Sequence, residues 1–264
     1  MATKGRNTWT AQVEADGEFV RHQTNFREQV RRDGSTAFQP ESGRYHLYVS
    51  YACPWAHRTL IMRKLKGLDS AISFDVVNYL LPDTGWSFVE PKDGATGDRL
   101  NHFAGLREAY LKSNPDFDGA VTVPVLWDKG SGQIVNNESS EIIRMLNSEF
   151  NEFAENPELD FYPESLRHKI DSVNEWVYST INNGVYRCGF ATKQKAYSRA
   201  FNELFTSLDR AEALLAEHRY LTGERFTEAD IRLFVTLLRF DAVYVAHFKT
   251  NKKRIVDYPN LWAY

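Results

Sequence analysis

The stretch YHLYVSYACPWAHRTLIMRKL, residues 45–65, decides the fold. Its opening, Tyr45 to Ser50, alternates and is rich in aromatic and β-branched side chains, the composition of a strand. A helix should follow. Pro54 suits a first helical position, where its missing N–H would have had no partner, and Leu60, Ile61, Met62 and Leu65 recur at helical spacing. Cys53 therefore falls at the N-cap, where free backbone N–H groups and the positive end of the helix dipole favour a thiolate and depress its pKa. His57 and Arg58, one turn on, add positive charge. The third residue after Cys53 is Ala56, not a second cysteine, so a mixed disulfide formed here needs a thiol from solution to resolve it. A lone cytosolic cysteine is more often a small buried hydrophobe. Its place between a strand and a Pro-initiated helix turns the balance toward a reactive thiolate.

The chain of 264 residues is long enough for one large or two ordinary domains, and 42% hydrophobic residues suffice for a core. A formal charge of −3 shows no basic excess and argues against nucleic acid as the main partner. Lys252–Lys253–Arg254 is the one tight basic cluster and reads as a solvated loop. The N-terminal residues 1–19 lack the apolar core of a signal peptide, and no apolar run has the length of a membrane span. With only Cys53 and Cys188, and no other sign of secretion, the expected compartment is the reducing cytoplasm.

Residues 1–43 read as an extended arm with Trp9, Phe19, Phe26 and Phe38 as anchors, and its function is not legible. After the first helix Gly67 is a stop signal, and Ile72 to Val77 gives a second strand, completing a β-α-β unit. Residues 80–101 form a long Gly/Pro/Asp-rich loop around Trp86, which either anchors that loop or meets a ligand. Leu106 to Lys112 should be a short helix. In the β-prone run Val121 to Trp127, Pro124 belongs at the strand's start or in a cis turn. A hairpin turn at Asp128 to Gly132 and a returning strand at Gln133 to Val135 follow, and Asn136 to Glu141 opens a helix whose first turn suits an anion. This order gives an α/β thioredoxin-like domain over residues 44–150.

Residues 151–162 read as an acidic linker, and 163–264 as an all-α domain. Its expected helices run from Pro163 to Asn183, from Lys193 to His218, and from Ile231 to about Phe248 in the domain core, the last opened by a capping box at Thr227 and Asp230. A further helix begins at Tyr258, and the chain stops within its first turns, which reads as a truncated C-terminus. Cys188 is expected to be structural.

A thioredoxin-like half with an N-capping cysteine, followed by an all-helical half, resembles the soluble glutathione transferases. Five strings narrow the likeness: Tyr51 to Arg58 (YACPWAHR), Gly85–Trp86, Thr122 to Asp128 (TVPVLWD), Asn137 to Ile142 (NESSEI) and Asn183 to Ala191 (NGVYRCGFA). In this order they resemble the glutathionyl-hydroquinone reductases, the Xi class, over Phe38 to Tyr264. Members of that family usually continue past the position of Tyr264. The resemblance implies glutathione as co-substrate, no metal, a quinol conjugate as substrate and a homodimer. It implies Cys53 as the catalytic thiolate. Val123 and Pro124 would clamp the cysteinyl main chain of glutathione, and Glu138 and Ser139 would take its γ-glutamyl end. Trp86 and Arg107 would be further glutathione contacts, and Tyr186 would face the quinol.

Two other readings use the same residues. An omega-like thiol transferase or dehydroascorbate reductase would share Cys53 and differ in its pocket. A non-catalytic module of the same fold would bind partners and form no covalent glutathione adduct.

Overall fold

The computed structural model describes residues 13–82 and 84–264; Trp9, one of the expected arm anchors, lies outside them. Two compact units emerge, one built on Gln23–Asp160 and the other on Phe161–Tyr264 with residues 13–22.

In the first unit β1 (Tyr45–Val49) lies at the centre of a four-stranded sheet of order β2-β1-β3-β4. It runs parallel to β2 (Ile72–Val76) and antiparallel to β3 (Val125–Asp128), which pairs antiparallel with β4 (Gln133–Asn136). The alternation of Tyr45 to Ser50 does not separate a wet face from a dry one, because all five strand residues are buried. The polar member, His46, sits against the Ser73 hydroxyl at 2.8 Å and the Asp75 carboxylate at 3.4 Å.

The chain then enters α1 (Pro54–Leu65), with Cys53 as N-cap and Pro54 at the first turn. The buried side of α1 differs from the expected apolar stripe. Arg58 and Arg63 are buried while Leu60, Ile61 and Leu65 are only half-buried. Each arginine has partners that make burial tolerable, Arg63 through the Ile72 carbonyl at 2.5 Å and the Asp69 carboxylate at 2.5 Å. Gly67, at φ +64°, ends the helix, where a Cβ would sit 2.5 Å from the Glu155 side chain.

The short helix α2 (Arg107–Ser113) packs beside β4, and α3 (Ser139–Ser148) packs along α1. The hairpin turn is fixed by Asp128, which accepts from the Gly130 and Ser131 main chain, the Ser131 hydroxyl and Nε and Nη2 of the Arg44 guanidinium.

Arm residues 26–32 run along the edge of β4 and the flank of α3. Phe26 exchanges hydrogen bonds with Asn137, Arg27 forms an ion pair with Glu141, and the Val30 amide meets the Met145 sulfur. The stretch read as a linker is tied down, with a 3₁₀ turn at Asn151–Phe153 and the carbonyls of Pro157 and Leu159 held by the buried ammonium of Lys66 at 3.3 and 2.6 Å.

The second unit is helical. The span expected as a single helix, Pro163 to Asn183, holds a 3₁₀ turn at Glu164–Leu166, α4 (Arg167–Trp176) and a π segment Val177–Asn182, and α5 (Gly184–Gly189) follows beyond it. A π turn inserts a residue into the helical period, so a pattern read at steps of three and four runs on without showing the break. The long helix α6 (Gln194–Glu217) falls where the sequence places it. Asp230 closes the capping box at the start of α7 (Glu228–Arg239), accepting from the Thr227 amide at 2.7 Å. Beyond α7 a second π segment, Phe240–Tyr244, leads to the short α8 (Val245–His247). This run is not wholly a core element, since Phe234 and Leu238 are exposed. The last helix, α9, spans Pro259–Ala263. Among the described residues no helix is long and apolar enough to cross a membrane.

Candidate active site

The site in the first unit is assembled at the ends of strands and the starts of helices. Cys53 has extended backbone, φ −84° and ψ 118°, and its carbonyl accepts the first bond of α1 from the His57 amide at 3.1 Å. The thiol is half-exposed and lies 3.5 Å from the Val123 carbonyl oxygen. The Val123–Pro124 peptide is cis and immediately precedes β3. The strand-to-helix turn and the proline turn therefore meet at the sulfur. Cys188 is also free but buried, and burial pushes its thiol up to about 12, so it is a poor nucleophile at neutral pH.

The helix start on α3 has Glu138 as N-cap, its carboxylate accepting from the Ser140 amide at 3.1 Å and the Ser140 hydroxyl at 2.9 Å. Ser139 is buried, and its hydroxyl oxygen accepts from Arg58 Nη1 at 3.3 Å. Arg58, read from sequence as added charge near the thiol, thus reaches across to the first turn of α3, with its guanidinium 4.5 Å over the Trp55 ring.

Trp86 and Arg107 are brought together by the main chain. The Trp86 carbonyl accepts from the Leu106 amide at 2.9 Å, and Ser87 and Gly105 form a bridge. Trp86 is buried, and its Nε1, like Nε and Nη2 of Arg107, makes no hydrogen bond to any described residue. Buried donors of this kind carry a desolvation cost that an acceptor would relieve.

Tyr186 belongs to the second unit, on α5, among the rings of Phe190, Tyr244 and Phe248, with the Arg21 guanidinium 4.7 Å over its face. Two residues that sequence reasoning did not single out, Tyr110 and Asn137, connect the pieces of the first unit. Asn137 sits inside one of the quoted strings, but nothing in the sequence pairs it with a tyrosine on α2.

A sheet of this order, a cysteine capping the helix after β1 and a cis proline facing its sulfur are the features of a thioredoxin-like domain, and followed in the chain by an all-helical unit they are those of the glutathione S-transferase class. The model of the glutathione S-transferase N-terminal domain matches residues 52–149, and that of the C-terminal domain matches 194–264. The chain is 52% identical over 264 residues to glutathionyl-hydroquinone reductase YqjG of Escherichia coli, covering 98% of this chain and 80% of that protein. It is 50% identical over 256 residues to glutathionyl-hydroquinone reductase PcpF of Sphingobium chlorophenolicum, covering 97% of this chain and 80% of that one. Against the crystal structure of the glutathione S-transferase Xi from Phanerochaete chrysosporium it superposes with a TM-score of 0.92 at 57% identity, over 94% of this chain and 80% of the other. The glutathione-bound structure of YqjG gives 0.86 at 55%, over 90% and 79% of the two chains. This chain belongs to the Xi-class glutathione transferases, the family of the glutathionyl-hydroquinone reductases.

Proposed function

We propose that this protein reduces glutathionyl-hydroquinones to hydroquinones at the expense of glutathione. The observation that carries the reading is the half-exposed Cys53 sulfur at the start of α1, 3.5 Å from the carbonyl that precedes the cis proline. The Cys53 thiolate attacks the sulfur of the glutathionyl thioether. The carbon–sulfur bond breaks, the ring carbon takes the electron pair and a proton, and hydroquinone leaves behind a Cys53–glutathione disulfide. A second glutathione attacks that disulfide, releasing oxidised glutathione and the thiolate. Ala56 offers no internal thiol, so glutathione is consumed stoichiometrically.

Val123 and Pro124 present main-chain groups to the cysteinyl part of glutathione. Ser139 and the α3 N-terminus take the γ-glutamyl carboxylate, and Glu138 takes its ammonium. Trp86 Nε1 and Arg107 supply further contacts, Arg107 as the partner of a carboxylate; that Trp86 Nε1 and Arg107 Nε and Nη2 find no acceptor among the described residues supports the assignment. Tyr186 hydrogen-bonds a quinol oxygen through its phenol. The reading carries with it a reducing, cytoplasmic setting and a homodimer.

Parallel turnover of a glutathionyl-hydroquinone and of dehydroascorbate tests it. The expected result is a strong preference for the quinol conjugate. A preference for dehydroascorbate replaces it with an omega-like reductase. Intact mass after mild treatment with oxidised glutathione separates a non-catalytic module: the enzyme gains one glutathione, lost in Cys53→Ser, and the module gains none.

A further inference from the structure

The phenol of Tyr110 lies at the junction of the proline turn and the helix cap. Its ring is fully buried, with Phe26 edge-on at 5.5 Å and Phe117 at 4.8 Å. The hydroxyl donates to the Thr122 carbonyl at 2.8 Å and accepts from the Thr122 amide at 3.1 Å, gripping both main-chain groups of one residue. It also accepts from Asn137 Nδ2 at 3.0 Å. The Thr122 hydroxyl lies 3.2 Å away as a fourth polar contact, so the phenol is fully engaged. Thr122 is the residue before Val123–Pro124, and Asn137 is the residue before Glu138–Ser139. Asn137 is itself pinned by the arm, its Oδ1 accepting from the Phe26 amide at 3.2 Å and its own amide donating to the Phe26 carbonyl at 3.1 Å.

We infer that Tyr110 and Asn137 are positioning residues. Through the phenolic oxygen, and through Asn137 Nδ2 donating to the Thr122 hydroxyl at 3.3 Å, they fix the spacing between the Val123 main chain and the Glu138–Ser139 turn, and the arm residue Phe26 completes the brace. The inference rests on the glutathione assignment given above. A tripeptide held at its γ-glutamyl end and at its central cysteinyl residue is sensitive to the distance between those two anchors, because an ångström of misplacement loses one set of bonds or the other. The thiol is carried by a different element, α1, and touches the proline turn only through the Val123 carbonyl at 3.5 Å, so its intrinsic reactivity is set mainly by the helix start.

The test compares Tyr110→Phe and Asn137→Ala with Ser139→Ala, measuring glutathione affinity by calorimetry, KM and kcat with a glutathionyl-hydroquinone, iodoacetamide reaction rate at Cys53, and melting temperature. The expected result is a rise in the glutathione Kd and KM of about tenfold, the scale of one lost hydrogen bond, in both brace variants. The alkylation rate stays within about twofold of the parent, because the helix start that carries the sulfur is unchanged. A role in stability alone would lower the melting temperature and leave the KM of the folded protein unchanged, and that result overturns the inference. Should Tyr110→Phe not fold, Asn137→Ala, which keeps the phenol's bonds to Thr122, decides the matter by the same readouts. If Ser139→Ala leaves affinity untouched, the glutathione assignment fails; if it weakens affinity while the brace variants do not, only the brace is wrong.

Discussion

The buried guanidinium of Arg58 donates through Nη1 to the hydroxyl of Ser139 at 3.3 Å, joining the helix that carries the reactive cysteine to the first turn of α3. Because the serine oxygen accepts from arginine, its own proton is directed elsewhere. In the proposed complex it is available to a carboxylate.

Arg58→Lys and Ser139→Ala should therefore interact. Residues in direct contact show coupling of about 0.5–3 kcal/mol, and a double-mutant cycle on unfolding free energy is expected to fall in that range. Simple additivity would show that the contact contributes nothing to joining α1 and α3.

The rate of Cys53 alkylation against pH should have its midpoint below about 8.5, the value for an unperturbed thiol, because the sulfur stands at a helix N-terminus. A midpoint at or above that value removes the activated thiolate. Cys188, whose thiol burial pushes up to about 12, should not react over the same range in the folded protein.

Asp128 links pH to folding. Burial alone would raise its carboxyl, but the bonds from Arg44, Ser131 and Gly130 outweigh this and hold it at about 2 against an ordinary 3.8. A depressed carboxylate stabilises the fold above the unfolded value and ceases to do so as pH falls through the folded one. Denaturant unfolding should thus show Asp128→Asn less stable than the parent by about 2 kcal/mol at pH 7, with the gap closing between about pH 4 and pH 2. A gap independent of pH would refute the linkage.

Asp230 is fully buried and accepts from the Leu221 amide, the Thr227 amide and hydroxyl, and the Tyr264 hydroxyl. Replacing it by alanine strands several buried donors, each worth about 1–3 kcal/mol, so Asp230→Ala should lower stability by upwards of about 3 kcal/mol. A change within about 0.5 kcal/mol, the range of ordinary surface substitutions, would contradict this account.

What was legible in the sequence was local. Pro54 and Gly67 bracket α1, the Asp128 to Gly132 turn closes the hairpin, and Lys193 and His218 flank α6, all through short-range backbone preferences. The sequence put Pro124 either at the strand's start or in a cis turn, and the fold has it in a cis peptide immediately before β3. The rest depends on partners distant in the chain. The conformation of the arm is set by Asn137, Glu141 and Met145, more than a hundred residues on, so residues 26–32 carry no period of their own. Arg58 and Arg63 break the apolar stripe because each finds its acceptors only in the folded unit. Tyr110 was one tyrosine among 13 until Thr122 and Asn137 closed on it.

Lys66 turns the supposed linker into a strap. With its ammonium enclosed and donating to the carbonyls of Pro157 and Leu159, this amine is screened from acylating reagents that label surface lysines, and burial lowers its pKa. The two carbonyls it grips are claimed, and a protease, whose active site needs an extended, unclaimed backbone, would have to displace the ammonium from them although the side chains of residues 157–159 are exposed. A stretch whose composition advertises a cleavage point is thereby tied by one cation reaching out from the far end of the helix that begins at the nucleophile.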